Sequence, residues 1–159
     1  MADIFISHLE WTGADKGPTA EPAGFSRDLV VSVDGVTLPM SSAPGFRGDP
    51  SRANPEQLFV AALSACQALT YLFLAAKNGI RVAGYTDDAE GRLGIVDGRM
   101  RMARVTLRPR ILLEPGSDET RALELAAEAH RNCIIGNSVS TPVEVAPQLS
   151  FTGDAVAAR

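Results

Sequence analysis

The sequence predicts an α+β fold in which sheets wrap one long helix, and three observations carry that prediction. Residues 54–79, NPEQLFVAALSACQALTYLFLAAKNG, hold no charge between Gln57 and Lys77. A helix apolar all round must be buried over most of its surface. Residues 102–113 alternate with period two. Ala103, Val105, Leu107, Pro109, Ile111 and Leu113 fall on one face, and Arg104, Thr106, Arg108 and Arg110 on the other, which is the pattern of a half-buried strand. Asp34-Gly35 lies between the apolar runs Leu29 to Val33 and Val36 to Met40, a strong hairpin signal. The order strands, helix, strands, helix, strand leaves little room for βαβ crossovers.

The chain has 159 residues, which favours one domain over 1–159, with 153–159 as a frayed tail. A net charge of -4 argues against broad affinity for nucleic acid or anionic membranes. Two cysteines make no disulfide scaffold. No charged-then-apolar leader opens the sequence, so a cytoplasmic protein is expected. In that compartment paired cysteines are more often catalytic or redox-active than structural.

Residues 4–9, IFISHL, predict a short strand, followed by a loop to Gly24. Ser41 to Ala53 is turn chemistry throughout. Asn54 then suits an N-cap and Pro55 the first helical position, where its missing N–H costs nothing. Asn78-Gly79 supplies a left-handed stop. Leu58 to Ala76 is also long enough to span a bilayer. Its alanines, its polar residues Ser64, Gln67, Thr70 and Tyr71, and flanks without aromatic belts favour a buried soluble helix instead. The small residues Ala61, Ala62, Ala65 and Ala68 would let another helix approach closely, so a dimer is expected.

Ile80 to Tyr85 predicts a strand, and Asp87, Asp88 and Glu90 an acidic loop. Pro109 places the long alternating strand at an edge or a bulge. Its arginine face reads better as solvated than as a binding stripe. Ser117 can cap a second helix running to about Cys133, and Gly136-Asn137 breaks it. Pro142 to Phe151 alternates as a final strand.

Cys66, in the middle of the long helix, and Cys133 stand 67 residues apart, outside any C-x-x-C motif. With two histidines and two cysteines in the chain, a metal site is not expected. No cofactor is implied. Two unrelated buried cysteines remain an equal alternative on composition alone. If Cys66 is a nucleophile, burial would raise its pKa from about 8.5, and the helix dipole has faded three turns in. A cation, most naturally an arginine, would have to be brought to it.

Asn54 to Phe59 followed by Ser64-Ala65-Cys66 resembles the peroxidatic-cysteine helix of the OsmC/Ohr family of hydroperoxide reductases. Ala129 to Val139, AHRNCIIGNSV, is similar to that family's second-cysteine segment. The resemblance implies an OsmC-like fold with antiparallel sheets around paired central helices of an intertwined homodimer. It implies that Cys66 attacks an organic hydroperoxide and becomes a sulfenic acid, that Cys133 resolves it as a disulfide, and that a dithiol, lipoyl-linked in the Ohr branch, reduces that disulfide. Glu56 matches the family's acidic residue ten positions before the reactive cysteine, which holds an active-site arginine. Arg27 in GFSRDL resembles the Ohr arginine, and Arg47 in PGFRGDP sits nearer the OsmC position. Arg27 is favoured, with Arg52 a distant third. Ten residues of helix span about 15 Å, so Glu56 and Cys66 would meet one guanidinium only with a second subunit's help. Ile134-Ile135 replaces the Pro-Val common in OsmC, which suggests a separate subgroup. His130 could assist proton transfer at Cys133, although a solvated or capping role is preferred.

Two functions follow. The first is a thiol peroxidase, with Leu69 and Phe73 favouring alkyl or lipid peroxides. The second is a catalytically weak OsmC-like dimer that binds an apolar ligand at the subunit interface.

Overall fold

The computed structural model describes residues 3–153. The chain forms two compact units, one up to Leu58 and one from Phe59 onward.

The first unit holds a three-stranded antiparallel sheet, β1 (His8–Glu10), β2 (Leu29–Val33) and β3 (Val36–Met40). Asp34 and Gly35 turn the β2–β3 hairpin with φ of 45° and 81°. Two positive φ values in a two-residue loop match the strands' right-handed twist. The first strand is shorter and later than 4–9: pairing with β2 covers only His8 to Glu10, and Ile4, Phe5 and Ile6 stay exposed. The loop between β1 and β2 closes where Trp11 Nε1–H donates to the Ser26 carbonyl at 2.8 Å.

The long helix α1 (Pro55–Lys77) begins as expected. The Gln57 N–H donates to Asn54 Oδ1 at 2.9 Å, and the Asn54 N–H donates to Gln57 Oε1 at 3.1 Å. This reciprocal box satisfies two of the helix's free donors. At the other end Gly79 has φ of 71°. The N–H of Ile80 reaches back to Ala75 O, and that of Gly79 to Ala76 O, a Schellman stop.

The second unit holds two three-stranded sheets. One contains β4 (Val82–Asp87), β7 (Pro109–Leu113) and β9 (Gln148–Phe151), in the order β4-β7-β9. The other contains β5 (Glu90–Val96), β6 (Arg99–Leu107) and β8 (Val143–Val145), in the order β5-β6-β8. Residues 102–113 are therefore two strands in different sheets, broken at Arg108, with Pro109 opening a central strand. A first strand position has no need of proline's missing N–H. Residues 142–151 likewise divide at Ala146-Pro147. Among the described residues four strand pairings are antiparallel, while β6–β8 and β7–β9 are parallel. The crossover for which the element order leaves little room is made by α2 (Glu119–Asn132), which carries the chain back to run parallel to both strands.

Asp118, one residue beyond Ser117, caps α2 by accepting the Arg121 N–H at 3.0 Å. Leu63, Gln67, Tyr71, Leu74 and Ala75 form the buried stripe of α1, at helical spacing. Tyr71, Leu74 and Ala75 pack with Ile111 and Leu113 of β7 and with Ala122, Leu125, Ala126 and Ala129 of α2. Leu63 packs instead with Val105 and Leu107 of β6. The helix is buried along this stripe rather than over most of its surface: Leu69 is 69% and Phe73 66% exposed. The arginine face is ion-paired rather than simply solvated. Arg108 pairs with Glu90 at 3.1 Å, Arg104 with Glu144 at 3.5 Å, and Arg110 with Asp88. The Asp87 carboxylate accepts the Ser64 hydroxyl at 2.5 Å and the Arg108 N–H at 2.6 Å, tying α1 to the point where the chain changes sheets.

Candidate thiol site

Cys66 and Cys133 come together. Both are reduced, and the Cys133 thiol hydrogen-bonds the Cys66 sulfur. Cys66 is offered from the middle of α1, held by its helix. Cys133 sits where α2 ends. Its φ and ψ of -67° and 113° are extended and stop the helix there. Gly136 and Asn137, expected to break that helix, instead belong to one further helical turn, α3 (Ile134–Asn137). This turn directs backbone N–H groups at the sulfurs. Ile135 N–H donates to Cys66 Sγ at 3.5 Å, and Gly136 N–H donates to Cys133 Sγ at 3.2 Å. A Cβ at position 136 would lie 3.3 Å from Cys133 Sγ, so glycine there permits the close approach.

The environment pushes the two thiols apart in acidity. For Cys66, burial is the largest single influence and would raise the pKa. It is outweighed by hydrogen bonds from the Cys133 S–H and from the Ile135 and Ile134 N–H groups, and the thiol falls below its ordinary value. Thr70 helps least, because its hydroxyl proton goes to the Cys66 carbonyl oxygen at 2.8 Å. For Cys133, burial comes first, then the hydrogen bond and the charge of Cys66, and the thiol rises to about 11. Of the two thiols Cys66 is therefore the more readily ionised. The amide donors are the part of the site that sequence reasoning missed. Backbone N–H groups carry no side-chain signature, and Gly136 three residues after Cys133 was the one available hint.

Leu69 and Phe73 lie three and seven residues beyond Cys66 on α1, which sets them along the same helix face as the sulfur. His130 is half-buried, between cavities of about 320 and 350 Å³. Its carbonyl accepts the Cys133 N–H at 3.3 Å.

The other candidates lie in the first unit. Arg27 is folded onto its own loop. Its guanidinium donates to Phe25 O at 2.5 Å and Pro22 O at 2.6 Å, and stands 4.1 Å from the Phe25 ring centroid. Arg47 has φ of 64°. Both arginines line one cavity of about 410 Å³, along with Lys16, Asp28 and Asp49. Arg52 is engaged elsewhere, with Asp49 at 3.4 Å and Asp28 at 3.9 Å. Glu56 carries a buried Oε2 with no hydrogen-bond partner among the described residues.

The fold and this thiol pair define an α+β protein in which a long helix and a short turn present two reduced sulfurs of unequal acidity. The family model described as OsmC-like protein matches residues 48–148, and the chain belongs to that family. It is similar to an OsmC-like protein of unknown function from Vibrio cholerae O1 biovar eltor, at 30% identity over 94% of this chain and 100% of that one, with a TM-score of 0.82. It shares its fold with an organic hydroperoxide resistance protein from Elizabethkingia anophelis, at 24% identity, 95% and 99% coverage and a TM-score of 0.67. The same holds for the organic hydroperoxide resistance protein OsmC from Legionella pneumophila, at 21% identity, 94% and 98% coverage and a TM-score of 0.67. No curated protein matches the chain.

Proposed function

We propose that this chain is a thiol peroxidase for organic hydroperoxides, a single OsmC-like domain working as a homodimer in the reducing cytoplasm. The observation that carries the reading is the contact of two reduced thiols moved apart in acidity, Cys66 down and Cys133 up to about 11. The Cys66 thiolate attacks the distal peroxide oxygen. An S–O bond forms and the O–O bond breaks; sulfur loses two electrons, and the departing alkoxide takes up a proton to leave as the alcohol. While Cys66 is an anion, its charge and hydrogen bond keep Cys133 protonated. Once Cys66 is a neutral sulfenic acid, both influences are gone and Cys133 ionises more easily. Its sulfur then attacks the sulfenic sulfur, closing a disulfide and releasing water. A small dithiol, lipoyl in type, returns both thiols and leaves as its own disulfide.

The exposed Leu69 and Phe73 beside Cys66 suit an alkyl chain. The wider exposed apolar face of α1, including Ala61, Ala65, Leu72 and Ala76, suits a second α1 across a dimer axis. The orphaned Oε2 of Glu56 supports a role in holding a guanidinium, with Arg27 or Arg47 as its source. The test is peroxide loss with an alkyl hydroperoxide and dihydrolipoamide, in the chain and in Cys66→Ser and Cys133→Ser. Loss should vanish in Cys66→Ser, and Cys133→Ser should trap the sulfenic acid. Loss no faster than with dithiol alone would turn the reading toward apolar-ligand binding at the subunit interface.

A further inference from the structure

We propose that the consecutive backbone N–H groups of Ile134 and Ile135 act with the Cys133 thiol to hold Cys66 as a thiolate, which makes residue 134 a position that tunes how much thiolate the chain carries. This deepens the peroxidase reading and rests on Cys66 as the attacking sulfur. Three observations converge. Ile135 N–H reaches Cys66 Sγ at 3.5 Å, and the adjacent Ile134 N–H adds to the lowering of that thiol. The Ile134 side chain is 76% exposed, so within the chain the position contributes its backbone more than its packing. As the first residue of α3, Ile134 has an N–H that the helical ladder does not use. The next amide of the same turn serves the other sulfur: Gly136 N–H donates to Cys133 Sγ at 3.2 Å. The turn that delivers the second thiol is thus the turn that activates the first.

The same geometry supplies a clean test. Proline fits the first position of a helix, and it requires an extended residue before it. Cys133, at φ -67° and ψ 113°, already has that conformation. Ile134→Pro therefore removes one donor with the backbone left in place, whereas Ile134→Val retains it. The readout is the pH midpoint for alkylation of Cys66, followed on its own peptide by mass spectrometry. Ile134→Pro should raise the midpoint by about half to one unit, and Ile134→Val should leave it unchanged. A midpoint equal to that of the parent chain in a folded Ile134→Pro protein would overturn the proposal.

A second measurement needs no variant. In the parent chain the amide protons of Ile134 and Ile135 should move downfield with the Cys66 midpoint, and amides that stay still through that titration would also overturn it. Neither measurement uses peroxide. A chain without peroxidase activity can still pass both, and an active peroxidase can fail both, so the failure of this proposal and of the functional reading are distinguishable.

Discussion

Replacing Cys133 by alanine and by serine separates a hydrogen-bond donor from mere bulk. Among the donors that lower Cys66, the Cys133 thiol ranks first, and only the opposing effect of burial is larger. A hydrogen bond to a charged acceptor contributes about 1.5–3 kcal/mol. An S–H is a weak donor, so the low end applies, equivalent to about one pKa unit. Alanine also opens space at a buried position, which relaxes the burial penalty and returns part of that unit. The expected net rise in the Cys66 midpoint is about half to one unit. Serine retains an O–H donor and should leave the midpoint within about 0.3 units of the parent. Reaction rate alone would mislead here. One unit removes about tenfold of the thiolate below both midpoints, but the more basic sulfur is the better nucleophile, so the rate falls only about threefold. Both variants hold a single thiol, because the chain has two cysteines, and ultraviolet thiolate absorbance against pH then reports Cys66 alone. Equal midpoints for alanine and serine, or no rise with alanine, would refute the assignment of Cys133 as donor.

Asp87→Ala leaves the Ser64 hydroxyl and the Arg108 N–H without their acceptor. It should cost about 2 kcal/mol, seen as a urea midpoint lower by about 1 M at fixed protein concentration. Burial raises Tyr71 to about 12 and, with the Asp87 charge, raises Tyr85 further. Phenols protonated in the fold and ionising near 10 when unfolded make stability full below pH 10 and falling as pH climbs above it. The chain's two tyrosines should therefore show no native phenolate step near pH 10, and their absorbance should change together with alkaline unfolding. For the proposed dimer, light scattering should give twice the 16.8 kDa chain mass. The double change Leu69→Asp with Phe73→Asp should return it to one chain while circular dichroism is retained.

What the sequence made legible follows the range of the interactions involved. The ends of α1 are set by groups within four residues of each other, Asn54 with Gln57 and Gly79 with Ala76. Both were readable from cap and stop residues. The break at Arg108 was not readable, because Leu107 and Pro109 are both buried and inward alternation runs on across it. Periodicity reports which face meets the core; it does not report which strand pairs alongside. Strand β5 escaped for a related reason. Leu93 and Ile95 are exposed, so the strand has no marked inward face, although Asp97-Gly98 turns its hairpin with φ of 51° and 74°, as Asp34-Gly35 does in the first unit.

The thiol pair shows the same division at the level of chemistry. Two cysteines are visible in any sequence, and their neighbours indicated which one should attack. A search for a side chain to ionise Cys66 looks for a cation, because charge is the property a side chain advertises. The donors that lower Cys66 most are instead a second thiol and two peptide N–H groups, and every residue but proline owns such an N–H. Their effect depends on one extended residue, Cys133, which ends α2 and aims the next turn at the sulfur. Acidity at Cys66 thus depends in part on backbone direction at Cys133. Substitutions that alter that direction should change the Cys66 thiolate fraction even where every side chain around the sulfur is kept.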